Sequence, residues 1–291
     1  MKNAAEKRQS AYPDSSTARH CHKPGGTMEL VDCHTHTIYS DGGSTLDENI
    51  AAAEARGLTT IACTDHFAHP AFMDCAVDES RIAELGSRIE QARLSHPNID
   101  IVFGWEADWY EGCERDIPLF KAGATFLLGS VHYLGEFAID WSEDMRIWDA
   151  EGADEVWRRY AQAWCRACFC PVGFDSMAHP DLPRLFENEG YAPSLDLGPL
   201  WDDMAEAAHE SHVRIELSTA GLRKSVRDFY PAFELLKRFR TAGVPLTVGS
   251  DAHSSKDIGY GINEAYACAR RAGYASIDVP TSSGEWRRVA L

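Results

Sequence analysis

Leu30-Val31-Asp32-Cys33-His34-Thr35-His36 is a short apolar run that ends in two histidines one residue apart. Side chains two positions apart on a strand share a face, so a single metal ion could take both imidazoles. The pair alone decides little, because two histidines serve equally well as solvated or hydrogen-bonded groups. The arrangement recurs along the chain, however. The apolar run 58–63 leads into Thr64-Asp65-His66, and the strand candidate 99–106 ends in Gly104-Trp105-Glu106. Candidates 125–131 and 174–178 are followed by His132 and His179, and 245–249 by Ser250-Asp251-Ala252-His253. Asp41 follows the first pair in a Ser-Asp-Gly-Gly turn, and the candidate 213–218 carries Glu216.

Helical patterns over 45–56, 78–96, 152–169, 196–211, 229–242 and 262–272 alternate with these seven strands. Ser44-Thr45-Leu46-Asp47 reads as a capping box, and Gly57 and Gly243 stand where left-handed residues end helices. This is βαβ rhythm, which builds a parallel α/β sheet. In a parallel barrel the carboxyl ends of all the strands converge on one mouth. Each residue has a plain explanation alone: Asp65 as a cap, Glu106 in an ion pair, His132 and His179 as core histidines, Asp251 as a turn residue. Their joint placement after apolar runs points to a polynuclear site for divalent metals.

Composition narrows the class further. At 291 residues with 44% hydrophobic residues and a mean hydropathy of −0.33, the chain reads as one globular domain over 28–291. Residues 1–27 have no periodicity and are expected to be a disordered tail, without a secretory signal. A net charge of −17 disfavours nucleic acid, and no apolar stretch is long enough for a bilayer. Nine cysteines without a secretory leader suggest a reducing, cytoplasmic setting. The Cys165-x-x-Cys168-x-Cys170 run lacks a second pair and reads as a cysteine-rich helix end rather than a zinc site.

The ordered motifs His34-Thr-His36…Ser40-Asp41-Gly42, Ala62-Cys-Thr-Asp65-His66, Phe103-Gly-Trp-Glu106, Leu128-Gly-Ser-Val-His132, Met177-Ala-His179-Pro-Asp181 and Gly249-Ser-Asp251-Ala-His253 resemble the PHP (polymerase and histidinol phosphatase) superfamily. The likeness spans most of 29–291. Two segments, His179-Pro-Asp181-Leu-Pro-Arg184 and Ile215-Glu216 through Arg223-Lys224, resemble its histidinol-phosphate phosphatase branch. The resemblance implies a distorted (β/α)7 barrel, TIM-like, with three divalent metals (manganese, iron or zinc) at its mouth. It implies nine ligands: His34, His36, Asp41, His66, Glu106, His132, His179, Asp251 and His253, with Glu106 bridging.

Phosphate monoester hydrolysis suits such a site, because a metal lowers the pKa of bound water from roughly 15.7 to about 7 and so supplies hydroxide at neutral pH. The resemblance offers Arg184 and Arg223, with Lys224 as a third group, as phosphate binders for a small phosphorylated substrate. Asp65 is expected beside the ligands as a carboxylate or proton acceptor, and His253 as a second candidate for proton transfer. Glu216 is expected to face the pocket and receive a substrate ammonium. The reading is hydrolysis of L-histidinol phosphate, a step of histidine biosynthesis. A nucleotide or other small phosphate ester, amidohydrolase-type chemistry and a non-catalytic metal-binding regulator stand as alternatives.

Overall fold

Seven parallel strands follow one another around a single sheet in chain order: β1 (Leu30–Thr35), β2 (Leu58–Cys63), β3 (Asp100–Asp108), β4 (Phe126–Ser130), β5 (Ser176–Met177), β6 (Arg214–Ser218) and β7 (Leu246–Gly249). The computed structural model describes residues 28–67, 75–116 and 123–291. Sheet closure comes from the segment just past β7. Asp251 N–H donates to the His34 carbonyl at 2.8 Å, and His36 N–H to the Ala252 carbonyl at 2.9 Å. With helices on the outside this is the expected distorted (β/α)7 barrel. The distortion has visible sources: β5 is two residues long, and the β1–β2 register shifts twice.

The helices are α1 (Leu46–Ala55), α2 (Ile82–Ser95), α3 (Arg146–Cys168), α4 (Gly198–Ser211), α5 (Phe233–Thr241) and α6 (Ile262–Ala272). Thr45 and Glu48 complete the capping box of α1, one residue later than the run Ser44–Asp47 suggests. The helix expected from 152 begins at Arg146, and the chain breaks its helical path at Gly152, where φ is 76°. Glycine adopts that angle without a Cβ clash, so two helical segments join there. Near α5, Tyr230 instead pairs with Ser218 in an antiparallel bridge, which delays the helix to Phe233.

Inside the barrel a small apolar cluster of Ala62, Val102, Phe126, Leu128 and Ala178 fills the space between the strands, with Trp286 against it. Trp286 belongs to a C-terminal hairpin, β8 (Ser276–Pro280) with β9 (Trp286–Ala290), which the periodicity did not announce. The hairpin closes the base. Trp286 meets Phe126 edge-on at 5.6 Å, Arg214 at the start of β6 lies 3.6 Å over the Trp286 ring, and Arg287 donates to Thr60 Oγ1 at 2.8 Å. On β3, Val102 and Glu106 share a face, so Glu106 stands above this packed floor.

No helix among the described residues is long and apolar enough to cross a membrane. The tail 1–27, with His20 and His22, lies outside the described residues, as does His69. Cys33, Cys63, Cys113, Cys165, Cys168, Cys170 and Cys268 are free thiols. Cys170 Sγ lies 3.4 Å from Cys113 Sγ, and no metal-sized cluster among the described residues includes the Cys165/Cys168/Cys170 run.

Candidate metal centre

All nine residues expected as ligands meet at the mouth, and Glu106 is their hub. The strand end of β3 aims its carboxylate inward with 1% exposure. Its Oε2 lies 2.9 Å from His34 Nε2 and 3.3 Å from both His36 Nε2 and His66 Nδ1. Its Oε1 lies 2.8 Å from His179 Nε2 and 3.4 Å from His132 Nε2. The two oxygens thus face different histidines.

Three groups could each hold an ion. His34, His36, Glu106 and Asp251 form the first, with Asp251 Oδ1 at 3.3 Å from His36 Nε2. His66, Glu106 and His132 form a second, beside which His179 Nε2 lies 3.2 Å from His132 Nε2. His36, Asp41, His66 and His253 form the third. Asp41 reaches it because Gly42 lets the chain fold back: a Cβ there would lie 2.7 Å from Thr37 N. Asp41 then stands 3.4 Å from His253 Nε2 and 3.7 Å from His66 Nε2. The His253 ring stacks on His36 with centroids 4.1 Å apart.

The donor set fits divalent cations, as the protons show. His34 Nδ1 donates to Glu216 Oε1 at 2.9 Å and His132 Nδ1 to Asp108 Oδ1 at 2.6 Å. In the neutral rings both Nε2 atoms therefore carry lone pairs, and both point at Glu106. His34 Nε2 is also 3.0 Å from His36 Nε2. Lone pairs and carboxylates packed this closely require positive charge between them. The electrostatics agree. Burial alone would lower the His36 pKa, but Asp251 and Glu106 raise it to about 9. Burial opposes charge on His132 as well, yet Asp108 and Glu106 bring it to about 10. Burial would raise the Glu106 pKa, and the imidazoles of His34, His66 and His132 hold it well below its ordinary value. His66 is the exception, pushed down to about 4 by burial.

The structure gives definite partners to several residues whose roles were expected from the sequence. Glu216, expected to receive a substrate ammonium, has both oxygens engaged here: Oε1 is on His34, and Oε2 accepts the His179 backbone N–H at 2.9 Å. It orients two neighbours of Glu106 at once. Among the described residues Asp65 has no hydrogen bond to a histidine. It accepts from Thr37 N–H at 2.7 Å, Thr37 Oγ1 at 2.8 Å and Ser40 Oγ at 2.6 Å, bracing the turn that presents Asp41. Arg184 has its donors on the Phe229 carbonyl and on Asp228, both at 2.8 Å. Arg223 stays at the mouth, with Nη2 on the Ser250 and Asp251 carbonyls and a buried Nη1 that has no hydrogen-bond partner among the described residues. Lys224 is near enough to help depress the Asp251 pKa. Two carboxylates escaped the sequence reading. Asp108 ends β3 two residues after Glu106, a same-face spacing that could have flagged it, and Asp32 precedes His34.

Relatives share the sequence and the fold over most of the chain. A histidinol-phosphatase of Bacillus subtilis is 25% identical over 80% of this chain and 97% of its own length. The Deinococcus radiodurans protein named "Probable histidinol-phosphatase" is 28% identical over 84% of this chain and 94% of its own. Among solved structures, the histidinol phosphate phosphatase of Lactococcus lactis, crystallised with zinc, L-histidinol and phosphate, superposes with a TM-score of 0.76 at 21% identity. That match covers 90% of this chain and all of the other, and at such identity it speaks for the fold. Residues 32–220, more than half of the sequence, match the PHP domain, and the chain belongs to that family.

Proposed function

We propose that this chain is a metal-dependent phosphomonoesterase that hydrolyses L-histidinol phosphate to L-histidinol and phosphate. One observation carries the reading: Glu106 divides its two oxygens between histidine sets whose lone pairs converge on it. Such a carboxylate suits two neighbouring cations in a shared site. The substrate comes from the histidinol-phosphatase names of the relatives, which align over most of their own length.

We assign three divalent ions of manganese, iron or zinc, since imidazole and carboxylate ligands accept all of these. His34, His36 and Asp251 would hold one and His132 with His179 another, with Glu106 between them. Asp41, His66 and His253 would hold the third. When bound, the ions acidify a water and offset negative charge on the phosphoryl group. The chain's own residues supply orientation. Glu216 and Asp108 fix the tautomers of His34 and His132, and Asp65 fixes the turn under Asp41. Arg223 Nη1 is the open donor for a phosphoryl oxygen, where charge spreads during transfer. His253 Nδ1 donates to the Asp251 carbonyl at 3.2 Å, which leaves Nε2 a lone pair that suits a metal ligand and a proton acceptor alike. We place the protein in the cytoplasm, a setting that the buried thiols of Cys33, Cys63, Cys113, Cys168, Cys170 and Cys268 suit.

Phosphate release from metal-replete protein tests the reading, with histidinol phosphate compared against nucleotide monophosphates and generic esters. Histidinol phosphate should lead in kcat/KM by more than about tenfold, or roughly 1.4 kcal/mol. A smaller margin rejects a dedicated histidinol enzyme, and release that survives chelator rejects the metal-dependent chemistry.

A further inference from the structure

Asp32 is fully buried two residues before His34. Its carboxylate accepts three close hydrogen bonds, from Ser250 N–H at 2.8 Å, Ser250 Oγ at 2.5 Å and Gly259 N–H at 2.7 Å. The His34 N–H approaches the same carboxylate at 3.4 Å. A buried carboxylate is costly unless donors surround it, so the demand for these partners is strong. Ser250 and Gly259 are the two ends of the loop that carries Asp251 and His253.

That loop lies at the seam where the barrel closes, and the seam is thin. Past the end of β7 it is joined to β1 by the Asp251–His34 and His36–Ala252 backbone bonds. Position matters most here, because His34, His36 and Asp251 come from its two sides and must converge on one point. The outer side of the loop is held separately, by Arg56, whose guanidinium donates to the carbonyls of Ser255, Lys256 and Ile258. Gly259 turns at φ +68°, and a Cβ there would meet Leu58 Cδ1 at 3.0 Å, so its N–H is delivered to Asp32 by a backbone that favours glycine.

We propose that Asp32 is a positioning residue: it clasps both ends of the 250–259 loop and so sets the divalent-metal affinity of the His34, His36, Glu106 and Asp251 group. This rests on the metal-centre reading given above. A purely structural role would lower stability and leave metal affinity alone.

The test is Mn²⁺ titration of the chelator-stripped full chain, followed by the loss of the free-ion electron paramagnetic resonance signal. Asp32→Asn keeps the shape but sets an amide NH2 against the donors of one of the two oxygens, either the Ser250 N–H or the Gly259 N–H. It should weaken at least one Mn²⁺ equivalent by about 10–100-fold, the range for partners that orient metal ligands. Asp278→Asn, which loosens the Arg214 and Arg288 pairs at the far end of the barrel, should lower the Tm with an unchanged titration. Ser250→Ala should weaken Mn²⁺ less, and in the double variant should add nothing to Asp32→Asn. Where Asp32→Asn does not fold, Ser250→Ala alone decides, and a wild-type titration curve overturns the proposal. Unchanged binding by a folded Asp32→Asn also overturns it. Failure of the wild-type chain to take up Mn²⁺ would instead overturn the metal-centre reading on which it rests.

Discussion

A methyl group at position 249 has nowhere to go. The Cβ of an alanine there would lie 2.2 Å from Glu216 Oε1 and 2.4 Å from His34 Cβ, where ordinary contacts to carbon are about 3.5–4.0 Å. Both neighbours are buried, and the His34 backbone is fixed by its bond from Asp251. Glu216 must therefore swing away, releasing His34 Nδ1 and the His179 backbone N–H together. Overpacking of this kind costs about 1–3 kcal/mol, and the freed imidazole should lower metal affinity by about 10–100-fold. Thermal melts of chelator-stripped Gly249→Ala should show a Tm lowered by about 2–4 °C per kcal/mol. Mn²⁺ titration of the folded variant reads the second effect. Gly43→Ala is the control, since its Cβ would meet only the His253 carbonyl at an ordinary 3.5 Å. If Gly249→Ala and Gly43→Ala gave the same Tm and the same titration, the packing described for Glu216 would be refuted.

Asp108→Ala should remove the acceptor that fixes His132 Nδ1 and weaken one Mn²⁺ equivalent by about 10–100-fold, with kcat for phosphate release falling alongside; an unchanged titration would dismiss that role. Burial pushes the Asp181 carboxyl from 3.8 up to about 8 against the pull of Arg184. The folded state therefore holds this proton more tightly than the unfolded chain, so its stabilisation is complete below pH ~4 and is lost as pH rises through the folded value. Asp181→Asn mimics the neutral acid and should flatten that decline between pH 5 and 9 in urea titrations; parallel slopes for the two proteins would contradict it.

What the sequence made legible was whatever repeats at fixed spacing. Strand, helix, glycine and strand recur from Leu30 onward, so the parallel order followed, and polar residues at strand ends located the mouth. Pairings between distant segments were not legible. Glu216 sits on β6, one strand in from the closing seam, and comes within reach of β1 only once the barrel closes, so its partner His34, 182 positions away, was invisible. Arg184 looked free because Asp228 and Phe229 lie more than 40 residues later. Asp32 was absorbed into an apolar strand, its partners Ser250 and Gly259 being more than 200 residues distant. The C-terminal hairpin is short, and Ile277, Val279 and Val289 alternate over too few residues to stand out, although Gly284 at φ +85° marks its turn.

The plug beneath Glu106 gives the barrel one door. Among the described residues, Phe126, Leu128 and Val102 pack the lumen and Trp286 lies against them from below. Whatever arrives at the histidines must depart over the same rim, so the two fragments of a cleaved ester queue for a single exit.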